Sequence, residues 1–324
     1  MKKISVVVPV YNEEKGICHF LSKDLIPELN RLEDKYNFEL ILVNDGSSDN
    51  TLAILQSFIN DNKKILNSPI KLIAFARNFG KEIALSAGIK ESTGDAVLTI
   101  DADGQQPPKE IHKFIKSWEK GNEIIVGVRD HFTKHGLIPR LGSKMFYKLF
   151  RIMGNKDTVP GSTDFRLMDR EVVNEYNNFT EHNRITRGLI DWMGYKKDYI
   201  NYIYGNRFAG KPSYTFKKLF KLAIDSFISM TDTPLVIFGY LGSLISIFSA
   251  SLGLFIIINQ YVLGDPLHLY WDGAVQMTVF ITFLVGLLMI SQYVTALYIS
   301  HIHSETQNRP LYIISKKNSK NLKK

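Results

Sequence analysis

A single cysteine, Cys18, is all that the 324 residues provide. That excludes an internal disulfide and fits a reducing compartment, with Cys18 expected to pack as a small buried hydrophobe. No Gly-x-Gly-x-x-Gly turn follows the first strand-like run, so the dinucleotide-binding fingerprint is missing. GNRFAGKPS (205–213) nearly spells a phosphate-binding P-loop, but Pro212 stands where Ser or Thr is required and no strand leads into it. The opening segment MKKISVVVPVYNEE has too short an apolar run for a secretory signal and reads as a first strand. His301 and His303 lack acid or cysteine partners at ligand spacing, which argues for an interfacial rather than a metal-binding role. The longest absences are of charge. No Asp, Glu, Lys or Arg occurs from Thr233 through Gly264, nor from Gly273 through Ser304.

Each of those uncharged stretches exceeds the roughly 20 residues that cross a bilayer as a helix. The connector between them, GDPLHLYWDG (264–273), carries two acids and the interfacial pair Tyr270 and Trp271. Lys217, Lys218 and Lys221 precede the first stretch, and Arg309 with KKNSKNLKK follows the second. The positive-inside rule then places both ends in the cytoplasm and the connector outside. The expectation is a multi-pass membrane protein with its N-terminal α/β domain in the cytoplasm. RLGSKMFYKLFRIMG (140–154) and YTFKKLFKLAIDSFISM (214–230) pair basic and apolar stripes at helical spacing and read as interfacial amphipathic helices. The formal charge of +8 and a pI near 9.2 favour an anionic partner. Because the positive charge sits beside the uncharged stretches rather than in an aromatic-lined stripe, that partner is read as lipid and not nucleic acid.

Up to about Arg207 the chain alternates short β-branched runs with helical patterns. The runs ISVVVPV (4–10), ELILVND (39–45), IKLIAFA (70–76), DAVLTID (95–101) and NEIIVGV (122–128) end in polar turns, with helices expected over 49–61 and 80–92. Near-continuous apolar strands separated by helices predict an α/β fold with a mainly parallel sheet covered on both faces. Ligands of such sheets bind at the carboxyl ends of the strands. There the fourth run delivers Asp101-Ala102-Asp103. Residues i and i+2 of an extended segment share a side, so two carboxylates converge on one object, most simply a hard divalent cation that also holds a substrate diphosphate.

The segments VVVPVYNEE, VNDGSSDNT, ARNFGKEIALSAGI, DADGQQPP and GSTDFRLMDR occur in an order that resembles family 2 of the glycosyltransferases. RGLIDWMGY and NRFAGKPSY, followed by two apolar stretches, narrow the resemblance to polyprenyl-phosphate (bactoprenol) glucosyltransferases, related to dolichyl-phosphate mannose synthases. The Gln-x-x-Arg-Trp motif of processive polysaccharide synthases is not found. The resemblance covers essentially the whole chain and implies a nucleotide-diphosphosugar transferase domain (GT-A, Rossmann-like) over 1–210, with an interfacial helix at about 140–153. A juxtamembrane amphipathic helix (211–232), two transmembrane helices within 233–304 and a basic cytoplasmic tail (305–324) would follow.

The resemblance also implies roles. Pro9, Tyr11, Glu13 and Asp45 would hold the donor's base and ribose, Lys81 would also bind the donor nucleotide sugar, and Arg207 and Lys211 would belong to a loop closing over its diphosphate. Asp101, Asp103 and Gln105 would bind Mg²⁺ or Mn²⁺ and the diphosphate. Asp164 and Asp103 would be the catalytic acids, with Asp164 nearest the reacting sugar carbon and braced by Arg166. Arg129, Arg140 and Ser143 would grip the acceptor phosphate. The expected reaction is an inverting transfer of a hexose from a nucleotide sugar, UDP-glucose first, to undecaprenyl phosphate on the cytoplasmic face, for cell-envelope glycan modification. UDP-N-acetylglucosamine or another donor is the alternative within that reaction. An inactive membrane adaptor is the alternative from another class; it is disfavoured because both acids of the Asp-x-Asp and the DFR segment are intact. A separate flippase and a downstream transferase are expected partners. Homo-oligomerisation is left open, with the small-residue run GYLGSLISIFSASLG (239–253) permitting close helix packing.

Overall fold

The computed structural model describes residues 1–62, 66, 69–130, 159, 161–181, 184–203, 205, 240, 251, 258 and 273–322. They divide into two units, 1–215 with 309–324, and 216–308. In the first unit β1 (Lys2–Val10), β2 (Tyr36–Asn44), β3 (Lys71–Ala74), β4 (Ala96–Thr99), β5 (Ile124–Arg129), β6 (Ser162–Asp169) and β7 (Lys197–Tyr202) form one sheet in the order β3-β2-β1-β4-β6-β5-β7. The expected parallel core is there: β1 pairs in parallel with β2 and β4, and β2 with β3. The sheet is mixed, however, because β6 runs antiparallel to both β4 and β5.

The strand period of two sorts β1 between two cores. Ile4, Val6, Val8 and Val10 belong to one apolar cluster and Val7 to the other. The first cluster is covered by the helical stretch from α1 (Ile17–His19) through the π-helical Phe20–Leu25 to α2 (Ile26–Asn30), by α3 (Thr51–Asp61) and by α5 (Ile111–Glu119). The second is covered by α4 (Lys81–Lys90), α6 (Arg170–Asn178) and α7 (Thr186–Trp192). Burying apolar area on both faces, at roughly 25 cal/mol per Å², explains why these strands read as continuous hydrophobic runs. Cys18 departs from expectation. It lies on the outward side of α1 and is exposed, since neighbouring Ile17 and Phe20 take the inward positions.

The tail also departs from a simple charged extension. Residues 312–321 run antiparallel along the edge of β3, with bridges Leu72–Lys320 and Phe75–Ile314. Leu72 and Lys320 exchange backbone bonds of 3.0 and 2.9 Å, and Ser315 N–H donates to Ala74 O at 2.8 Å. Tyr312 stacks on Phe75 with ring centroids 5.1 Å apart. Lys320 Nζ reaches Asn60 Oδ1 at 2.6 Å, and Asn321 donates to Ile70 O at 2.7 Å. An edge strand exposes unpaired N–H and C=O groups, and the tail satisfies those of β3.

In the second unit α8 runs from Gly273 to Thr306 over 34 residues and coincides with the second uncharged stretch. The first uncharged stretch and both amphipathic segments lie almost wholly outside the described residues. Counting described side chains alone, no helix is long and apolar enough to cross a membrane. The two transmembrane helices are therefore a reading of the sequence that the fold does not establish.

Candidate active site

Strands β1 to β5 all finish at one edge of the sheet, and the chemistry-bearing turns follow those ends. The antiparallel run of β6 adds a residue from its beginning. Thr99 pairs with Arg166, so two residues further along each strand Asp101 comes level with Asp164. The Thr99 hydroxyl donates to the Asp164 carbonyl and ties the two strand ends together.

Asp45, 2% exposed, directly follows β2. Its carboxylate accepts bonds from Phe79 N–H at 2.7 Å, Gly80 N–H at 2.9 Å and the Asn78 amide at 2.9 Å. Burial raises its pKa against the pull of these N–H groups and of Arg77. Gly46 makes the close approach feasible, because at φ 60° a Cβ there would lie 2.2 Å from the Arg77 carbonyl carbon. Asp45 thus fixes the turn that starts α4, and α4 begins with Lys81.

Lys81 is the bridge of the site. Its Nζ stands 2.6 Å from Asp101 Oδ1 and 2.8 Å from Asp164 Oδ2. Burial would lower its pKa, but the two carboxylates raise it above the ordinary lysine value, so the ammonium is retained. Asp101 is held from its other side by Gln106. Gln106 donates from Nε2 to Asp101 Oδ2 at 2.7 Å and accepts the Asp101 N–H at 2.8 Å. Burial keeps the Asp101 pKa raised even though Lys81 opposes it. Asp103 accepts the Gln105 N–H at 3.0 Å. The pair is carried by a turn rather than by an extended segment, since β4 ends at Thr99 and Gly104 takes φ 77°.

Asp164 is 5% exposed and meets a second cation. Arg187, on α7, places Nε 2.7 Å from Asp164 Oδ1 and NH2 3.4 Å from Oδ2. Burial alone would raise the Asp164 pKa. Lys81 and then Arg187 overcome it and hold the carboxyl below its usual range. Arg166 adds to that field without touching Asp164. Its guanidinium donates to Thr163 O at 3.1 Å and pairs with Asp191 at 3.2 Å, so it braces α7 rather than the carboxylate directly. Glu82 anchors the other end of α7 by accepting the Thr186 N–H at 2.9 Å. Burial and the charge of Asp164 raise the Glu82 pKa.

The remaining expected residues distribute as follows. Pro9 is buried in β1, Tyr11 is 43% exposed just beyond it, and the Glu13 N–H donates to Thr51 Oγ1 at 2.9 Å. Arg129 ends β5 at the same edge, its N–H donating to Gly161 O at 2.9 Å. Arg140, Ser143, Arg207 and Lys211 lie outside the described residues. The geometry brings in three groups to which the sequence reading gave no role. Arg187 and Gln106 touch the central carboxylates, and Glu82 positions the helix that carries Arg187. Nothing in their spacing singles them out.

Among the described residues no group of three or more His, Cys, Asp or Glu side chains could hold a metal by itself. Two aspartates on a turn suit instead a small hard cation that completes its shell with water and substrate phosphates. The Lys81 ammonium shows that the spot between Asp101 and Asp164 accepts positive charge.

The model of the family described as Glycosyl transferase family 2 matches residues 5–176. A glycosyltransferase of Synechocystis sp. is 37% identical, covering 97% of this chain and 95% of the relative. A glycosyltransferase of Bacillus subtilis, YkcC, is 34% identical over 96% of this chain and 93% of its own. A protein of Shigella phage SfX named bactoprenol glucosyl transferase is 35% identical, covering 96% of this chain and 98% of that one. With a GT-A-like α/β fold, its acids at the carboxyl edge of a mixed sheet, the chain belongs to glycosyl transferase family 2 and is a transferase.

Proposed function

We propose that the protein transfers a hexose, glucose from UDP-glucose as first choice, to undecaprenyl phosphate at the cytoplasmic face of a bacterial membrane. One observation carries the reading: Asp164 sits between a donor-side cation, Lys81, already shared with the Asp-x-Asp, and a second cation, Arg187. Such a centre suits two anionic substrates meeting at one carbon. Near-full-length similarity to relatives named bactoprenol glucosyl transferase supports the same acceptor.

Asp101, Asp103 and Gln105 would hold Mg²⁺ or Mn²⁺, whose charge offsets that of the departing nucleoside diphosphate. Pro9, Tyr11, Glu13 and Asp45 line the donor end of the edge, while Arg207 and Lys211 close over its diphosphate. The acceptor phosphate, gripped by Arg129, Arg140 and Ser143, attacks the anomeric carbon with inversion as the bond to the diphosphate breaks. A phosphate dianion carries no proton to remove, so Asp164 acts by charge and position rather than as a strong base. The membrane setting rests on the sequence, whose stretches 233–264 and 273–304 carry no charged side chain and are each longer than the roughly 20 residues that cross a bilayer. A separate flippase and a downstream transferase would take the lipid-linked product onward.

The test uses full-length protein in detergent with undecaprenyl phosphate, Mg²⁺ and radiolabelled UDP-glucose. Label should enter the lipid fraction, and Asp164→Asn should lose about 100-fold or more of kcat while still binding UDP. Near-normal turnover of Asp164→Asn at saturating substrate removes the role given to this carboxylate. No transfer to the lipid by folded wild-type protein removes the acceptor assignment.

A further inference from the structure

We infer that Arg187 is a phosphate-binding group for the acceptor, one that holds Asp164 until the acceptor arrives and then shares its guanidinium with the attacking phosphate. The inference rests on the acceptor reading above. Its first support is the sidedness of Asp164. Lys81 contacts Oδ2 and is tied at the same time to Asp101, the acid given above to the cation of the donor diphosphate. The shorter contact of Arg187 is to Oδ1, and its longer one, 3.4 Å, is to Oδ2. With the diphosphate held at Asp101, an in-line displacement brings the nucleophile from across the reacting carbon, and Arg187 is the cation on Asp164 that Asp101 does not share.

The second support is access. The Arg187 side chain is 45% exposed while that of its partner Asp164 is 5% exposed. A group from outside can therefore reach the guanidinium without displacing core. Its NH1 also lies 3.4 Å from Ser162 O, a long contact that the stronger charge-assisted bond to a phosphate oxygen would replace while the edge on Asp164 is kept.

The third is that α7 is fastened at both ends. Thr186 N–H bonds to Glu82 Oε2 at 2.9 Å, and the Tyr176 hydroxyl meets Thr186 Oγ1 at 3.2 Å. At the far end Asp191 lies 3.2 Å from Arg166 and 3.4 Å from Lys197. Glu82 immediately follows Lys81 on α4, so both cations flanking Asp164 are set by the same helix start. Without Arg187, a phosphate gripped by Arg129 and Arg140 would still face the Asp164 carboxylate directly. Arg187 removes that repulsion and aims the oxygen. In the transfer an acceptor P–O⁻ forms the new bond to the anomeric carbon. The old carbon–oxygen bond breaks with its electron pair going to the nucleoside diphosphate, and no proton moves.

The experiment compares wild type, Arg187→Gln and Arg187→Lys as full-length proteins, with undecaprenyl phosphate and with the short soluble acceptor farnesyl phosphate. Arg187→Gln should raise the KM of both acceptors about 10- to 100-fold, the scale of a charge-assisted hydrogen bond. UDP binding by calorimetry should stay within about twofold of wild type, and Arg187→Lys should recover part of the acceptor KM. Loss of UDP binding would assign Arg187 to the donor and overturn the inference. An unchanged acceptor KM would overturn it too. If Arg187→Gln does not fold, Arg187→Lys with an acceptor KM equal to wild type overturns it, and a raised acceptor KM with UDP binding intact supports it. Wild-type protein that binds UDP yet transfers to neither lipid phosphate is a separate result: it overturns the acceptor reading, and this inference with it.

Discussion

Replacing Lys81 by methionine keeps an unbranched apolar stem and removes the ammonium between Asp101 and Asp164. Stripping one partner from a buried ion pair costs about 3–5 kcal/mol, because a desolvated charge is left behind. Lys81 is 35% exposed, and Arg187 remains on Asp164, so solvent and the second cation recover part of that cost. The expected loss is about 2–3 kcal/mol, which for a domain of this size lowers Tm by about 5–10 °C. The two freed carboxylates then form a stronger cation site than the wild type offers without donor. Thermal melts followed by tryptophan fluorescence, with and without Mn²⁺, read both effects. Lys81→Met should melt lower than wild type without metal and gain more from Mn²⁺. Combining it with Asp101→Asn should cost less than the sum of the single changes, since neighbours sharing a partner couple by about 0.5–3 kcal/mol. A Lys81→Met protein that melts with the wild type, or ignores Mn²⁺, refutes the view that this ammonium balances the two acids.

Two further expectations concern the scaffold. Glu39 is 3% exposed; burial would raise its pKa, but bonds from Lys71, Ser5 and Thr93 push it down to about 2 from 4.5. A depressed carboxylate stabilises the fold fully above about pH 4.5 and loses that contribution as pH falls towards 2, a change of about 3 kcal/mol. Urea titrations across that window should show a shallower acid loss for Glu39→Gln than for wild type, and parallel curves would refute the assignment. Tyr312→Ala removes the stack on Phe75 and should cost about 2 kcal/mol. It should also speed hydrogen exchange at Leu72 and Ala76, whose N–H groups bond to Lys320 and Ile313. Unchanged protection at those amides would mean that the backbone ladder holds the tail without the ring.

Much of this was legible from the residues. β1 to β5 read as strands because burial on both faces makes them uniformly apolar, and the polar turns that follow mark the edge where the site lies. Asp101, Asp103 and Asp164 were named on pattern and resemblance, and Asp101 and Asp164 meet through Lys81. β6 was legible only as the motif GSTDFRLMDR, since nothing in a strand's composition tells which direction it pairs; its antiparallel run is what delivers Asp164. β7 escaped because KDYINY mixes polar and apolar residues, as suits the edge of a sheet. Arg187 escaped for a longer-range reason. Its position depends on Thr186 meeting Glu82 across 104 residues of sequence. The tail, read only for its lysines, hid the asparagine, serine and tyrosine contacts that seat it.

That seated tail sets the order in which the sheet can be completed. Leu72 and Lys320, which pair across its edge, lie roughly 250 positions apart in the chain. At about 5–20 residues added per second during synthesis, the outer edge of β3 waits roughly 10–50 s for its partner. For that time its N–H and C=O groups stand open to any other strand. Residues 312–321 are thus the seal that is fitted last.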